Sequence, residues 1–501
     1  MSRSTRVSSP FWPIAALVAV AACASSGCAL GPDYTRPSVD VPDSYRFAAT
    51  AAQDRPSTST LAEVPAWWRA FGDAELDRLV SEALVANHDL RIATARVDEF
   101  AARVASTHAQ ALPAVGYGAS AGRQRAPGTP AGSTYSALLS ASWELDLWGR
   151  LRREDEAARA NLMATEQARL GVALTLVSAV VSGYVTLLDL DRRLEISQAT
   201  LKGRQENVDL FQLRLDGGAV SEFEMMQVQA EYESAAASIP EIRQAIAQQE
   251  HALSVLVGRN PGPIARGGTL QALLMPAVPA GLPSDLVARR PDILQSEQQL
   301  VAANALVGAA RTLYFPSLTL TGSGGTASND LDSLFSGPSR AWSFAGQLLG
   351  PIFAGGAIDA ANEQARARHE QALLAYQKTI QNAFRDVDDA LAAIEAKRAL
   401  IVSLERRVQA LRRAVGLARE RYDNGYADYL DVLDTERSLF SAELSLSTAR
   451  GDGYRAHVDL YRALGGDWVD RVAPLPAASH RSPQDSRRAP AALADAADPS
   501  P

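Results

Sequence analysis

Gly118-Ala119-Ser120-Ala121-Gly122 has the G-x-S-x-G form of a nucleophile elbow, in which a strand-to-helix turn presents a serine Oγ to a histidine. Here the pentapeptide runs into RQRAPGTPAGS, a loop composition, and the second half of the chain holds no matching serine. Ser120 is therefore kept only as the nucleophile of an alternative reading, an esterase. The glycines of GSGG (322–325) could cradle a phosphate, but the Lys and helix start of a P-loop are missing, so they read as a strand end. The six histidines (88, 108, 251, 369, 457, 480) are scattered, and both cysteines, Cys23 and Cys28, lie near the N-terminus. Neither zinc nor a disulfide framework can be built from that set. No catalytic residue, cofactor or metal is expected.

Two tight turns carry more information. RLDGGAVSEFE (214–224) and RYDNGYADYLD (421–431) share R-x-D-x-G. Gly218 and Gly425 would each close a helix, and Ser221 and Asp428 would cap the next. Just beyond, the two stretches diverge. Leu430, Asp434 and Arg437, at i, i+4 and i+7, share one helix face, whereas their counterparts Phe223, Gln227 and Ala230 carry no charge. A solvated first turn, where the helix dipole favours Asp, explains this plainly. A charged face kept for function explains it equally.

The elements that must position these residues come from a duplication. The turns are offset by 207 residues, and Val257-Gly258 meets Leu464-Gly465 at the same offset. THAQALPAVGYGASAG (107–122) parallels ARTLYFPSLTLTGSGG (310–325) at about 203. Each repeat reads as helix, two short strands, very long helix, turn, long helix. The first helix is expected over about 73–109 in one repeat and 284–312 in the other. The long helix of the second repeat spans about 357–422 without proline. Ile380, Phe384, Val387, Leu391, Ile394, Ile401, Val408, Leu411, Val415 and Tyr422 form its coiled-coil seam. Such a helix would reach about 100 Å and needs equally long partners.

The strand segments alternate. Val115, Tyr117, Ala119 and Ala121 interleave with Gly and Ser, and Tyr135, Ala137, Leu139, Ala141, Trp143 and Leu145 with polar residues, Leu138 excepted. Leu318 and Leu320, then Trp342, Phe344 and Leu348, repeat the pattern. No strand-rich core exists to cover these faces, so a transmembrane β-barrel is the better source of the alternation. Four strands cannot close one; several chains must share it. Residues 170–188 hold no charge over nineteen positions, but their counterpart in the second repeat is charged, so they read as a buried stretch of helix.

The 501 residues carry a net charge of −8, with Arg mixed among acids, which excludes a nucleic-acid binder. Arg3 and Arg6 before a short apolar run (11–24) form a secretory signal. The chain divides into a signal peptide (1–27), an extended N-terminal segment (28–64), a first repeat (65–258; strands about 113–122 and 134–146), a linker (259–282), a second repeat (283–470; strands about 316–325 and 341–349) and a disordered tail (471–501).

CALGPDYTRP (28–37), PAWWRAFGDAELDRLVSEALVANHDLRIA (65–93), WELDLWGR (143–150), RYDNGYADYLDVLDTERSLFSAEL (421–444) and YRALGGDW (461–468) resemble outer-membrane efflux lipoproteins of the TolC family. The resemblance implies a mostly α protein with a small β part. It further implies a homotrimer whose twelve-stranded β-barrel, four strands per chain, continues into a long coiled-coil α-barrel. Such proteins are passive exit ducts of tripartite RND-type pumps, with a periplasmic adaptor (membrane fusion) protein and an inner-membrane RND transporter as partners. They are lipid-anchored in the outer membrane of Gram-negative bacteria. The cysteine before GPDY would be acylated, which points to Cys28 with Cys23 as the alternative; Ser25 departs from the usual Leu or Val. The periplasmic aperture would be lined by Leu430, Asp434 and Arg437. The alternatives are a duct for type I protein secretion and, from another class, a lipid-anchored periplasmic esterase using Ser120.

Overall fold

A computed structural model describes residues 30–47, 66–128, 130–276 and 283–465. The signal peptide, Cys23, Cys28, residues 48–64 and the tail lie outside the described residues. The described chain runs α1 (Ala74–Ala86), α2 (His88–Ala109), β1 (Ala114–Gln124), β2 (Gly132–Leu145), α3 (Arg150–Asp216), α4 (Glu222–Leu256), α5 (Pro283–Arg289), α6 (Pro291–Thr312), β3 (Ser317–Ser328), β4 (Arg340–Leu349), α7 (Ala357–Asp423) and α8 (Tyr429–Ala463). The duplication is plain in the lengths: α3 and α7 have 67 residues each, α4 and α8 have 35 each.

The strands form one antiparallel sheet in the order β1-β2-β3-β4, so each repeat gives a hairpin and the two join through β2 and β3. Val115, Ala141, Gly322 and Phe344 stand in one row across it, and Tyr117, Leu139, Gly324 and Trp342 in the next. Because direct partners share a face, the apolar residues of all four strands gather on one side. Val115, Tyr117, Leu139, Trp342, Phe344 and Leu348 are exposed there. The other face is small and polar, with the Ser120 and Ser136 hydroxyls 2.8 Å apart and Ser323 and Ser343 at the same distance. Leu138 sits on that face between Gly118 and Gly325. The glycines of GSGG (322–325) lie inside β3 rather than at its end. A Cβ on Gly325 would come within 2.1 Å of the Ala137 carbonyl oxygen, so the close strand approach requires a residue without one.

The first helix of each repeat is broken where one was expected. Asn87 ends α1 and caps α2, its Oδ1 accepting from the Leu90 amide at 2.9 Å while its Nδ2 donates to the Leu256 carbonyl. In the second repeat Pro291 forces Arg290 into an extended conformation. The buried Arg290 guanidinium then donates to the Ala463 carbonyl and to the carboxylates of Asp292 and Asp386. Gly258 packs against Ala86 and Gly465 against Arg290, so equivalent glycines close both breaks.

Most of residues 170–188 are buried, as expected, although Thr175 is exposed; Val177, Val180, Val181, Tyr184 and Val185 are inaccessible among Trp67, Trp68, Phe71 and Leu79. Asp73, itself buried, caps α1 and accepts from the Tyr184 hydroxyl at 3.0 Å. Trp67 stacks on Tyr461 of α8 at 5.0 Å. The C-terminal half of α8 thus belongs to two cores: Tyr454 and Val458 to the first repeat's, Ala456 and Leu460 to the second's. In the seam of α7, Ile380, Val387, Leu391, Ile394 and Val408 are buried and the other five positions are half-buried. Gly451 brings α8 close to Asp189 of α3, where a Cβ would meet the Asp189 Cβ at 3.3 Å; Gly453 does the same towards Ile401 of α7 at 3.2 Å.

Residues 30–47 carry no regular structure and run along α6 and α7. Tyr34 and Arg36 bond Glu297, the Arg46 amide bonds Asp388, and Tyr45 is buried. The described part of the linker is packed in, with Ile264 and Leu270 inaccessible.

Candidate functional site

The paired hairpin ends, far along the helices from the sheet, bring the singled-out residues together. Both turns are closed by a left-handed glycine: Gly218 at φ +72° and Gly425 at φ +75°. The amide three residues after each helix returns to it, Ala219 to the Arg214 carbonyl and Tyr426 to the Arg421 carbonyl, each at 2.8 Å. The following caps differ. Ser221 and Glu224 form a reciprocal capping box: the Glu224 amide donates to the Ser221 Oγ, and the Ser221 amide donates to the Glu224 carboxylate at 2.8 Å. Those bonds from Ser221 hold the Glu224 pKa below the usual carboxylate range. Asp428 occupies the equivalent N-cap with extended backbone, but its side chain makes no capping bond, contrary to the sequence expectation.

Removing the box with Ser221→Ala should cost about 1 kcal/mol at this helix start and speed amide exchange over the first turn of α4. The depressed Glu224 pKa places this stabilisation above the unfolded carboxylate pKa and removes it as pH falls through the folded value. Native and variant exchange should therefore converge in acid. Equal exchange at neutral pH would show the cap to be idle.

Leu430, Asp434 and Arg437 share one exposed face of α8, Leu430 being 55% accessible. Arg437 donates through Nε and Nη2 to Glu231 Oε1 of α4, at 3.1 and 2.5 Å, and its Nη1 stands 3.8 Å from Asp434. The bond to Glu231 raises the Arg437 pKa. Glu231 holds a second arginine, Arg204 of α3, at 3.1 Å, and its backbone carbonyl accepts from the same guanidinium. Arg204 is buried, lies 5.5 Å above the Phe440 ring, and has its pKa lowered by desolvation. One carboxylate thus ties three helices: α3, α4 and α8. Sequence reasoning named Arg437 but missed Glu231 and Arg204. A signal existed for the latter, since Arg204 aligns at the 207-residue offset with Leu411, a seam position.

Closer to the turns, Phe211 lies 4.2 Å from Tyr429 and Tyr422 lies 5.0 Å from Tyr429, centroid to centroid. Arg214 donates to the Tyr422 hydroxyl at 2.9 Å. Burial pushes the Tyr429 hydroxyl pKa up, and that hydroxyl has no hydrogen-bond partner among the described residues. The two hairpins therefore meet through an aromatic plug next to the charged face.

Ser120 lies inside β1 rather than on a strand-to-helix turn, and its hydroxyl is engaged with Ser136. The nucleophile elbow is not formed. No group of three or more His, Cys, Asp or Glu able to hold a metal occurs among the described residues.

The family described as outer membrane efflux protein matches residues 79–259 and 282–466. The chain is 35% identical over 468 residues to the probable efflux pump outer membrane protein TtgC of Pseudomonas putida, covering 91% of this chain and 96% of that protein. It is 36% identical to the cation efflux system protein CusC of Escherichia coli, covering 89% and 97%. Among solved structures, the CmeC outer membrane channel of Campylobacter jejuni superposes with a TM-score of 0.82 at 27% identity, over 89% of this chain and 98% of that one. Matches in both repeats, with long paired helices and a sheet bare on its apolar face, lead to one assignment: this chain belongs to the outer membrane efflux protein family.

Proposed function

We propose that this protein is the outer-membrane exit duct of a tripartite RND-type efflux pump, conducting small molecules passively and closed at the ends of its helical hairpins. It is an outer-membrane channel of the TolC kind, and its work is transport. The observation that carries the reading is the sheet. A bare apolar face, strands of 10 to 14 residues, and outer edges of β1 and β4 without a strand partner among the described residues suit a wall that faces lipid and is completed by further copies. Three copies would supply twelve strands, the minimum of eight being exceeded. The names of TtgC and CusC tie those relatives to efflux pumps, which supports an adaptor and an inner-membrane transporter as partners and small molecules as cargo.

In this reading Leu430 and Asp434 of three chains converge at the tip. Arg437 and Arg204 hold α8 against its own α4 and α3 through Glu231. The resting aperture is the arrangement in which that tie is intact, and adaptor docking would loosen it. The two repeats (65–258 and 283–470) form alternating staves, supported by their equal helix lengths. Cys28 carries the acyl anchor, supported by the position of Leu30 beside Trp148 at the foot of the sheet. Purified protein added to a planar bilayer should give small, steady ion-conducting steps. Imaging of the same preparation should show a threefold tube. A compact monomer that leaves the bilayer silent would overturn the proposal.

A further inference from the structure

Four consecutive residues after the proposed anchor are bound in more detail than a mere connector requires. The Leu30 amide donates to the Trp148 carbonyl at 3.1 Å. The Leu30 and Gly31 carbonyls accept from Arg153 Nε and Nη2 at 3.3 and 3.4 Å, and the Pro32 carbonyl accepts from Asn304 Nδ2 at 2.9 Å. The Asp33 carboxylate accepts from Arg153 Nη2 at 2.8 Å. Three successive carbonyls and the one charge of the segment are thus met by side chains from both repeats.

The fit is steric as well as polar. Gly31 has φ +108°, and a Cβ there would lie 2.4 Å from the Gly308 Cα. A Cβ on Gly308 would lie 2.8 Å from the Leu30 carbonyl oxygen. Asn304 and Gly308 are one turn apart on α6, so they present one face. Just alongside, Ala157 and Ala160 of α3 meet Ala302 and Ala305 of α6, which keeps the two helices close enough for one arginine to span the cleft. Arg153 is 5% accessible and is oriented on its other side by Glu156 at 2.8 Å. A buried guanidinium held in this way has no freedom to serve another ligand.

We propose that Arg153, Asn304 and Gly308 form a binding site for the chain's own Leu30–Asp33 segment, and that this site fixes where the lipid anchor leaves the protein at the foot of the sheet. The anchoring half rests on acylation of Cys28, two residues before the clamp. With residues 30–33 immobile, the acyl chains can reach only the leaflet beside the ends of β2 and β3. Anchor and sheet then sit at one depth. Arg153 is a positioning residue here; it does not touch cargo or lipid.

Hydrogen exchange on the full-length protein in liposomes tests the clamp. Arg153→Ala should raise exchange over the peptide containing residues 30–36 by about tenfold, with the β1–β4 peptides and bilayer conductance unchanged. Gly308→Ala should release the same segment without altering any charge, and Arg153→Lys, lacking the planar fork, should restore only part of the protection. Unchanged exchange over residues 30–36 in both Arg153→Ala and Gly308→Ala would overturn the site, as would loosening of the strands to the same degree. Palmitate labelling separates the two halves: a chain unlabelled when Cys28 is intact rejects the anchoring role, whereas a labelled chain with an unaffected segment rejects the clamp.

Discussion

Replacing Leu430 and Asp434 together by alanine should raise single-channel conductance several-fold, because a series of constrictions is dominated by its narrowest ring. Both side chains stand exposed on one face of α8, one apolar and one acidic. In a threefold assembly they combine a dewetting constriction with a focused negative potential. The double variant removes both. Loss of the acidic ring should lower cation selectivity as well, and Asp434→Ala alone should show that change with a smaller rise in conductance. A second route to the same result runs through Glu231. Glu231→Gln removes the charge shared by Arg437 and the buried Arg204, and leaving a buried arginine unpaired costs about 3–5 kcal/mol. The tip should loosen and conductance rise with both gate side chains still present. Unchanged conductance in the double variant would reject the gate, and a rise in the double variant alone would reject the tie.

The second large effect concerns the sheet. Phe344→Arg is expected to keep the chain from assembling in the membrane, whereas Ser343→Arg, its neighbour on the opposite face, should assemble. Phe344 is 73% accessible in a row with Val115, Ala141 and Gly322. An arginine on the lipid face of a barrel costs about 2–4 kcal/mol near the midplane, and the cost recurs in every copy of an assembly. Ser343 lies on the serine-lined face, where a charge meets water. Heat-modifiable gel mobility after membrane extraction reads the outcome. If both variants insert equally, the apolar face does not meet lipid.

Much of this architecture was legible because duplication repeats its signals. The offset of 207 residues set the equal lengths of α3 and α7 and of α4 and α8, and alternation placed the apolar residues of all four strands on one side. What the pattern hid were places where one residue overrides a period. Asn87 breaks a helix whose apolar spacing continues on both sides, because its side chain satisfies the α2 start and the end of α4 at once. Pro291 announced the matching break at Arg290, but the run of apolar positions masked it. The GSGG run (322–325) reads as a terminus because nothing local reveals that the neighbouring strand approaches too closely for a Cβ at Gly325. At the tip, the shared face of Leu430, Asp434 and Arg437 follows from spacing alone, whereas Glu231 pairs with Arg437 across 206 positions of sequence.

The glycines at 451 and 453 have a mechanical consequence. Beyond them α8 is embedded in the cores of both repeats, while towards its start the helix is joined to α7 by peripheral charge pairs such as Arg412 with Glu443 and Arg419 with Glu436. The helix is thus held at both ends, because its first turns pack Tyr429, Val432 and Leu433 against Phe211 and Met225, and the span from Gly451 back to Leu433 is about 27 Å long. With the contacts of the first turns released, a tilt of roughly 5° at Gly451 would swing Leu433 by about 2 Å. Movement of the hairpin ends therefore requires both the Phe211–Tyr429 contact and the Glu231 tie to give way, so the contacts near the turns and the packing near Gly451 act on one lever.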